Sequence, residues 1–226
     1  MSNKLFTIIN YMFFSLIIVA SVVLTIVFKL NWLTLISCVS SIFYIVFLSD
    51  RNLLNFIVGF ISSTTYIFVA FQAKIYGEVI FYLIIDLPMI FISYFMWKKN
   101  LESSLRVNAQ KMSFKQILIT LLISIVAIAL YSLFLNFIGG VNCIVDAIST
   151  VSSLIATILM AKRYREQWFM WIVVYIVSVV MWILTFDLLM LIMSISCLSS
   201  SLIGYFNWSI NANKHKPITS TGKKNK

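Results

Sequence analysis

Histidine is all but missing from this sequence, one residue in 226, and only seven side chains are acidic. The lone histidine, His215, stands in a polar tail, so a zinc site of the His-Glu-x-x-His kind is excluded. Three cysteines, Cys38, Cys143 and Cys197, each fall inside an apolar run without pairing spacing, so no disulfide framework is implied. The absence of a glycine-rich nucleotide-binding loop excludes ATP-driven pumping by this chain alone. There is no arginine-rich helix to sense voltage and no glycine filter to select ions. Asp86 and Asp146 follow Ile85 and Val145, not the Tyr-Asp and Gly-x-Gly-Asp contexts of intramembrane aspartyl proteases. No catalytic residue, cofactor or metal site is expected, and the chain reads as a non-enzyme.

What the sequence has is apolar surface. Hydrophobic residues make up 62% of it, against 45–50% in an ordinary soluble domain, so the excess must face something other than water. Eight runs approach the roughly 20 residues that cross a bilayer. They are Leu5–Phe28, Leu30–Leu48, Leu53–Ala73, Val79–Trp97, Gln116–Ile138, Asn142–Met160, Gln167–Leu184 and Leu188–Trp208. Each is continuous and does not alternate with period two, which indicates helices and not a barrel. The first is too long for a signal-peptide core and has no small-x-small cleavage site after it, so it is expected to be a retained helix. The expected fold class is an all-α integral membrane protein of about eight transmembrane helices with no soluble domain.

The net charge of +10 does not point to nucleic acid, because the basic residues lie between spans and in the tail. With the N-terminus inside, Lys4, Arg51, Lys98, Lys99, Arg106, Lys111, Lys115, Lys162, Arg163, Arg165, Lys214, Lys216, Lys223, Lys224 and Lys226 all fall on the cytoplasmic side. That is fifteen, against two outside, Lys29 and Lys74, as the positive-inside rule requires. Both termini are therefore expected in the cytoplasm of a multi-pass cell-membrane protein. The segment from Lys98 to Lys115 is the one long connection. The basic tail from Asn211 is expected to be disordered.

The spans suggest a duplication. Helices two to four and six to eight each begin near an asparagine (Asn31, Asn142) and turn at a basic cluster (Arg51-Asn52, Lys162-Arg163). Each triplet ends on an aromatic-x-Trp cluster at the inner interface, Phe95-Met96-Trp97 and Phe206-Asn207-Trp208. Arg51 to Trp97 and Lys162 to Trp208 are both 46 positions apart. With one helix between them, the copies would insert in the same orientation, as a parallel repeat. The competing reading is that eight evenly spaced helices look repetitive without any duplication.

The middle helix of each triplet carries a polar stripe at helical spacing. One stripe is Asn55, Gly59, Ser62 and Tyr66; the other is Trp168, Trp171, Tyr175, Ser178 and Trp182. Aromatic rings beside hydroxyls can stack a flat heterocycle and bond its substituents. The alternative for Trp168 and Trp182 is a place in the aromatic belt at the membrane surfaces. Asp86 is an ionisable group in mid-span and so a functional candidate by default, whether it meets a hydroxyl, a proton or a substrate. Pro88 should free a carbonyl and kink the same helix.

Several stretches resemble the PnuC family of vitamin transporters. One is Lys162-Arg163-Tyr164-Arg165-Glu166-Gln167-Trp168-Phe169-Met170-Trp171, with Ile158-Leu159-Met160-Ala161 before it and Ser178-Val179-Val180-Met181-Trp182 after. In the first half they are Arg51-Asn52 with Asn55 and Gly59, then Ile75-Tyr76-Gly77, then Leu87-Pro88-Met89 leading to Phe95-Met96-Trp97-Lys98-Lys99-Asn100. The resemblance covers about residues 30–210.

It implies a 3+1+3, SWEET-like core of two parallel three-helix repeats joined by a linker helix. Residues 1–29 would be an extra N-terminal helix, 30–97 the first repeat, 98–115 a cytoplasmic loop, 116–138 the linker, 139–210 the second repeat and 211–226 the tail. It also implies facilitated diffusion of an unphosphorylated vitamin, usually nicotinamide riboside, trapped inside by a kinase, and a homo-oligomer with a trimer as first expectation. The sequence departs from the family pattern at Tyr175 (usually Asn or Asp), Ile90 (commonly Gln), Ser93-Tyr94 (Gly-aromatic) and Thr157 (often Gln). The substrate-binding candidates are Trp171, Tyr175, Trp168, Asn55, Tyr66, Ser178, Asp86 and Tyr94. Their expected partners are a small molecule and the lipid bilayer. Thiamine, riboflavin or a nucleoside are alternative cargoes, and a non-transporting receptor or scaffold is the alternative class.

Overall fold

The computed structural model describes residues 3–102, 105–137 and 143–214, with side chains from Met12 to Asn213 within those ranges. Asn142 of the suspected repeat and His215 of the tail lie outside them. The described residues form helices α1 (Asn3–Val27), α2 (Trp32–Ser49), α3 (Asn55–Gln72), α4 (Tyr76–Phe81), α5 (Leu87–Lys98), α6 (Phe114–Phe137), α7 (Cys143–Ala161), α8 (Gln167–Leu184) and α9 (Leu188–Lys214). Helices α4 and α5 are continuous through a π-helical turn, Tyr82–Asp86, and make one span, Tyr76–Lys98.

Seven of these segments are long and apolar enough to cross a membrane, and α1 adds the apolar stretch Met12–Val27. Their large side chains face outward: Phe137 is 89% exposed, and α6 buries only Ser124 among its described residues. A helix so apolar on its outer side needs lipid around it. The protein is an all-helical integral membrane protein with seven to eight spans.

Helix contacts run in a closed ring: α2 packs on α3, α3 on α5, α5 on α7, α7 on α8, α8 on α9, and α9 back on α2. Outside the ring, α1 leans on α2 and α9, and α6 leans on α7. The tight turns use left-handed residues without glycine, namely Lys29, Arg51, Lys74, Arg163 and Phe186, at roughly 1–3 kcal/mol of strain each.

Two of these turns, after α2 and after α7, lie on the face where most of the basic residues cluster. They match bond for bond at an offset of 112 residues: Arg51 N donates to Leu48 O as Arg163 N does to Met160 O, both at 2.9 Å. The connection between α5 and α6 runs across this basic face and pairs with both turns. Leu53 N donates to Leu105 O and Val107 N to Arg51 O, while Gln110 N donates to Arg163 O and Arg165 N to Gln110 O. Val107 and Ala109, within the connection, are buried. The connection is thus a bar between the halves and not only a link in sequence. Burial lowers the affinity of the Arg51 guanidinium for its proton, and Glu102, 3.2 Å away, opposes that shift.

One sequence expectation is corrected here. Helix α9 continues through Lys214, beyond the expected start of a disordered tail at Asn211. Asn211 is buried, accepting from Ala109 N at 2.8 Å and donating to Glu102 Oε2 at 3.3 Å, so the bar holds the last helical turn. Trp97 and Trp208, which end the two aromatic-x-Trp clusters, are both wholly buried. Trp97 Nε1 donates to Met160 O on α7, and Trp208 Nε1 donates to Leu48 O on α2, each at 3.0 Å. The last turns of α5 and α9 therefore reach across to the ends of α7 and α2.

Candidate functional site

Inside the ring, between the crossed tryptophans and the opposite face, lies a cavity built by five helical segments. Helix α2 contributes Ser41 and Tyr44, and α3 contributes Ser62, Ser63 and Tyr66. The α4–α5 span adds Glu78, Tyr82 and Asp86. From the other side come Trp171, Val174, Tyr175 and Ser178 of α8, with Met193 and Cys197 of α9. The cavity thus lies between α2, α3 and the α4–α5 span on one side and α8 and α9 on the other.

Local sequence explains how these groups come inward. Serines at 37, 40 and 41 are buried along α2, and small side chains let helices approach closely. Gly59 lets the Tyr44 ring lie on α3: a Cβ there would meet that ring at 2.9 Å. Tyr82 and Asp86 are four residues apart in the π turn, where Leu87 N donates to Tyr82 O across five residues. Pro88 follows at once. It lacks an N–H and so cannot supply the usual α-helical bond, and the chain accommodates this with the wider turn.

The polar groups are paired within the wall. Ser63 Oγ donates to Asp86 Oδ2 at 2.5 Å, and Ser149 Oγ donates to Glu78 Oε1 at 3.3 Å. Ser41 and Ser62 share a 2.7 Å hydroxyl bond, and the Tyr44 hydroxyl donates to Met160 Sδ at 3.2 Å. Trp171 and Tyr175 stack with centroids 5.9 Å apart and planes at 22°. Tyr66 and Tyr82 lie 4.6 Å apart, and Trp182 meets Tyr66 edge-on at 6.1 Å. The Nε1–H of Trp171 has no acceptor among the described residues.

Of the eight candidates read from sequence, the cavity brings together Tyr66, Asp86, Trp171, Tyr175 and Ser178. Three lie elsewhere. Asn55 is buried at the start of α3, its amide donating to Asn52 O at 2.5 Å. Trp168 is buried against Gly204 and packs edge-on with Trp208 at 6.0 Å. Tyr94 packs edge-on with Phe56, with the Lys98 ammonium 5.9 Å from its ring centre. Trp168 and Trp182 are almost wholly buried, so neither is a belt residue. Asp146 is exposed in the first turn of α7.

Sequence reasoning missed Ser41, Tyr44, Ser63, Glu78 and Tyr82. The three-residue spacing of Ser41 and Tyr44 and the four-residue spacing of Tyr82 and Asp86 were the available signals. Among the positions departing from the family pattern, Tyr175 lines the cavity, while Ile90, Ser93, Tyr94 and Thr157 do not.

Spanning helices closed around a buried chamber of aromatic rings, hydroxyls and carboxylates define the class: a polytopic membrane protein with an internal site for a small molecule. The model of the nicotinamide mononucleotide transporter family matches residues 31–210. The nicotinamide riboside transporter PnuC of Haemophilus influenzae is 35% identical over 182 residues, covering 79% of this chain and 80% of the relative. That of Neisseria mucosa is 30% identical over 196 residues, covering 82% and 74%. The crystal structure of a vitamin B3 transporter PnuC superposes with a TM-score of 0.85 at 28% identity, over 92% of this chain and 93% of that one. The chain belongs to the nicotinamide mononucleotide transporter (PnuC) family and is a multi-pass protein of the inner membrane.

Proposed function

We propose that this protein carries nicotinamide riboside across the membrane by facilitated diffusion, holding the ring against Trp171 and Tyr175 while hydroxyls in the cavity bind the sugar. The observation that carries the reading is the stacked Trp171–Tyr175 pair facing a chamber shared by both triplets. The named function of its relatives agrees with it. Phosphorylation by a cytoplasmic kinase would make net uptake one-way.

The 3+1+3 architecture belongs to the same reading. The ring contacts, the matching turns and the crossed indole bonds all relate α2, α3 and α5 to α7, α8 and α9. On this view α1 is the counterpart of α6, since each leans on the first helix of a triplet. Rocking of one triplet against the other would open the chamber to alternate sides. The charge bias puts the basic face and both termini in the cytoplasm. Assembly as a homo-oligomer, a trimer first, is part of the proposal, and the mass of the detergent-free particle tests it.

Calorimetry with nicotinamide riboside, thiamine, riboflavin and nucleosides, followed by uptake into liposomes, tests the function. Saturable binding and flux of nicotinamide riboside is the expected result. Binding of another panel member alone would move the cargo, and specific binding without flux would favour a receptor.

A further inference from the structure

Among the described residues, the cavity is lined by two carboxylates, Asp86 and Glu78, and by no basic side chain. Eight residues separate the two acids, roughly 12 Å along a helix. Glu78, in the first turn of α4, sits nearer the face opposite the basic one. Asp86 is deeper, 7% exposed, at the end of the π turn. Its carboxylate oxygen accepts from the Ser63 hydroxyl. Around both acids stand the rings of Tyr44, Tyr66, Tyr82, Trp171 and Tyr175.

A second feature independently points to a ligand. Trp171 is only 5% exposed, lines the same cavity, and presents an Nε1–H without an acceptor. A buried donor of this kind is costly unless something accepts from it. Buried acids among aromatic faces attract a positive charge by ion pairing and through the negative faces of the rings.

From this arrangement we propose that the chamber selects a substrate whose aromatic ring bears a fixed positive charge. Asp86, steadied by Ser63, is the counter-charge, and Glu78 is the attracting group on the way in. This rests on the transport reading above and deepens it. The ring nitrogen of nicotinamide riboside is quaternised by the sugar, so the ring is a pyridinium cation. The thiazolium of thiamine shares that feature, whereas riboflavin and ordinary nucleosides are neutral. The Trp171–Tyr175 pair supplies a flat surface for the charged ring, and the Trp171 N–H meets a carbonyl or hydroxyl on it.

The test compares nicotinamide riboside with its 1,4-dihydro form, which keeps the sugar and the carboxamide but has a neutral ring. Binding of each to the purified full-length protein is measured by calorimetry, for wild type and for Asp86→Asn and Glu78→Gln. Wild type is expected to favour the cation by at least about tenfold. Asp86→Asn should weaken cation binding by about thirtyfold or more, as truncating one member of a buried charge pair does. It should leave the neutral form within about threefold, and Glu78→Gln should weaken binding of the cation more than binding of the neutral form. The wild-type ratio needs no variant, so it stands even if a substitution fails to fold. Equal wild-type binding of the two forms overturns the charge proposal and leaves the nicotinamide riboside reading intact. So does an Asp86→Asn protein that keeps the wild-type ratio. Binding of thiamine with no binding of nicotinamide riboside overturns that reading and supports the charge proposal. Binding of neutral compounds alone, or of nothing in the panel, overturns both.

Discussion

Replacing Trp97 and Trp208 together by phenylalanine should loosen the basic face by a calculable amount. Each indole N–H makes one bond at 3.0 Å to a helix-end carbonyl on the other triplet. Those carbonyls are not left orphaned by the change, because Leu48 O also accepts from Arg51 N and Met160 O from Arg163 N. The loss is therefore the net worth of a hydrogen bond, about 1 kcal/mol each, and not the larger cost of a buried unsatisfied group. One substitution should shift the closed-to-open equilibrium of that face about fivefold, and both together about thirtyfold. The lost ring volume can only add to this, since both side chains are wholly buried.

Cys197 reports the shift, because it lines the cavity and is 1% exposed. In a Cys38→Ala, Cys143→Ala background, its alkylation by an impermeant maleimide applied from the basic face should accelerate about thirtyfold in the double variant. Whatever else holds that face shut is common to both proteins and cancels. Unchanged labelling, with folding verified by gel filtration, would mean that the crossed bonds do not close the face.

Trp171→Ala and Tyr175→Ala should each raise the Kd for substrate about thirtyfold or more in calorimetry, the cost of removing an aromatic anchor from a desolvated pocket; wild-type affinity would place the binding site elsewhere. Gly204→Ala would put a Cβ 2.4 Å from the ring of Trp168, which has no room to move. It should lower stability by about 1–3 kcal/mol, seen as a lower melting temperature in detergent. Asn211→Ala would strip the buried Ala109 N–H of its acceptor, costing about 1–3 kcal/mol and exposing the α5–α6 connection to limited proteolysis.

The spans were legible because lipid demands long apolar runs; α8 occupies Gln167–Leu184, the interval read from sequence. The end of α9 was not, since its last turn is held by the side chain of Asn211, a contact 102 residues away along the chain. The polar stripes were also legible, but a stripe runs the full length of a helix while the cavity occupies only its middle. Tyr66 and Trp171 meet the chamber; Asn55 and Trp168, at the ends of the same stripes, pack into neighbouring helices instead. Trp97 and Trp208 showed equal spacing from their turns, yet periodicity does not tell which side chain crosses to a partner helix. That depends on ring closure between α9 and α2 and between α5 and α7. Pro88 marked a disturbed helix, but only the three-dimensional path shows a π turn that brings Asp86 inward.

The bar of residues 105–110 makes the two doors of the chamber unequal. On the opposite face, helices α3 and α4 and helices α8 and α9 meet at short turns that need only tilt. On the basic face, a molecule passing by the proposed rocking would also have to part the backbone bonds that join the connection to the turns at Arg51 and Arg163. A passive carrier equilibrates to the same gradient whichever door is heavier. Its traffic would not: if the strap parts more slowly than the opposite turns tilt, cargo would fill the chamber faster than it leaves toward the basic face, and occupancy would rise under load. On the proposed rocking, the slow step of flux toward the basic face would then belong to the hinge of a six-residue strap, and a shorter or looser strap would quicken delivery without changing where it stops.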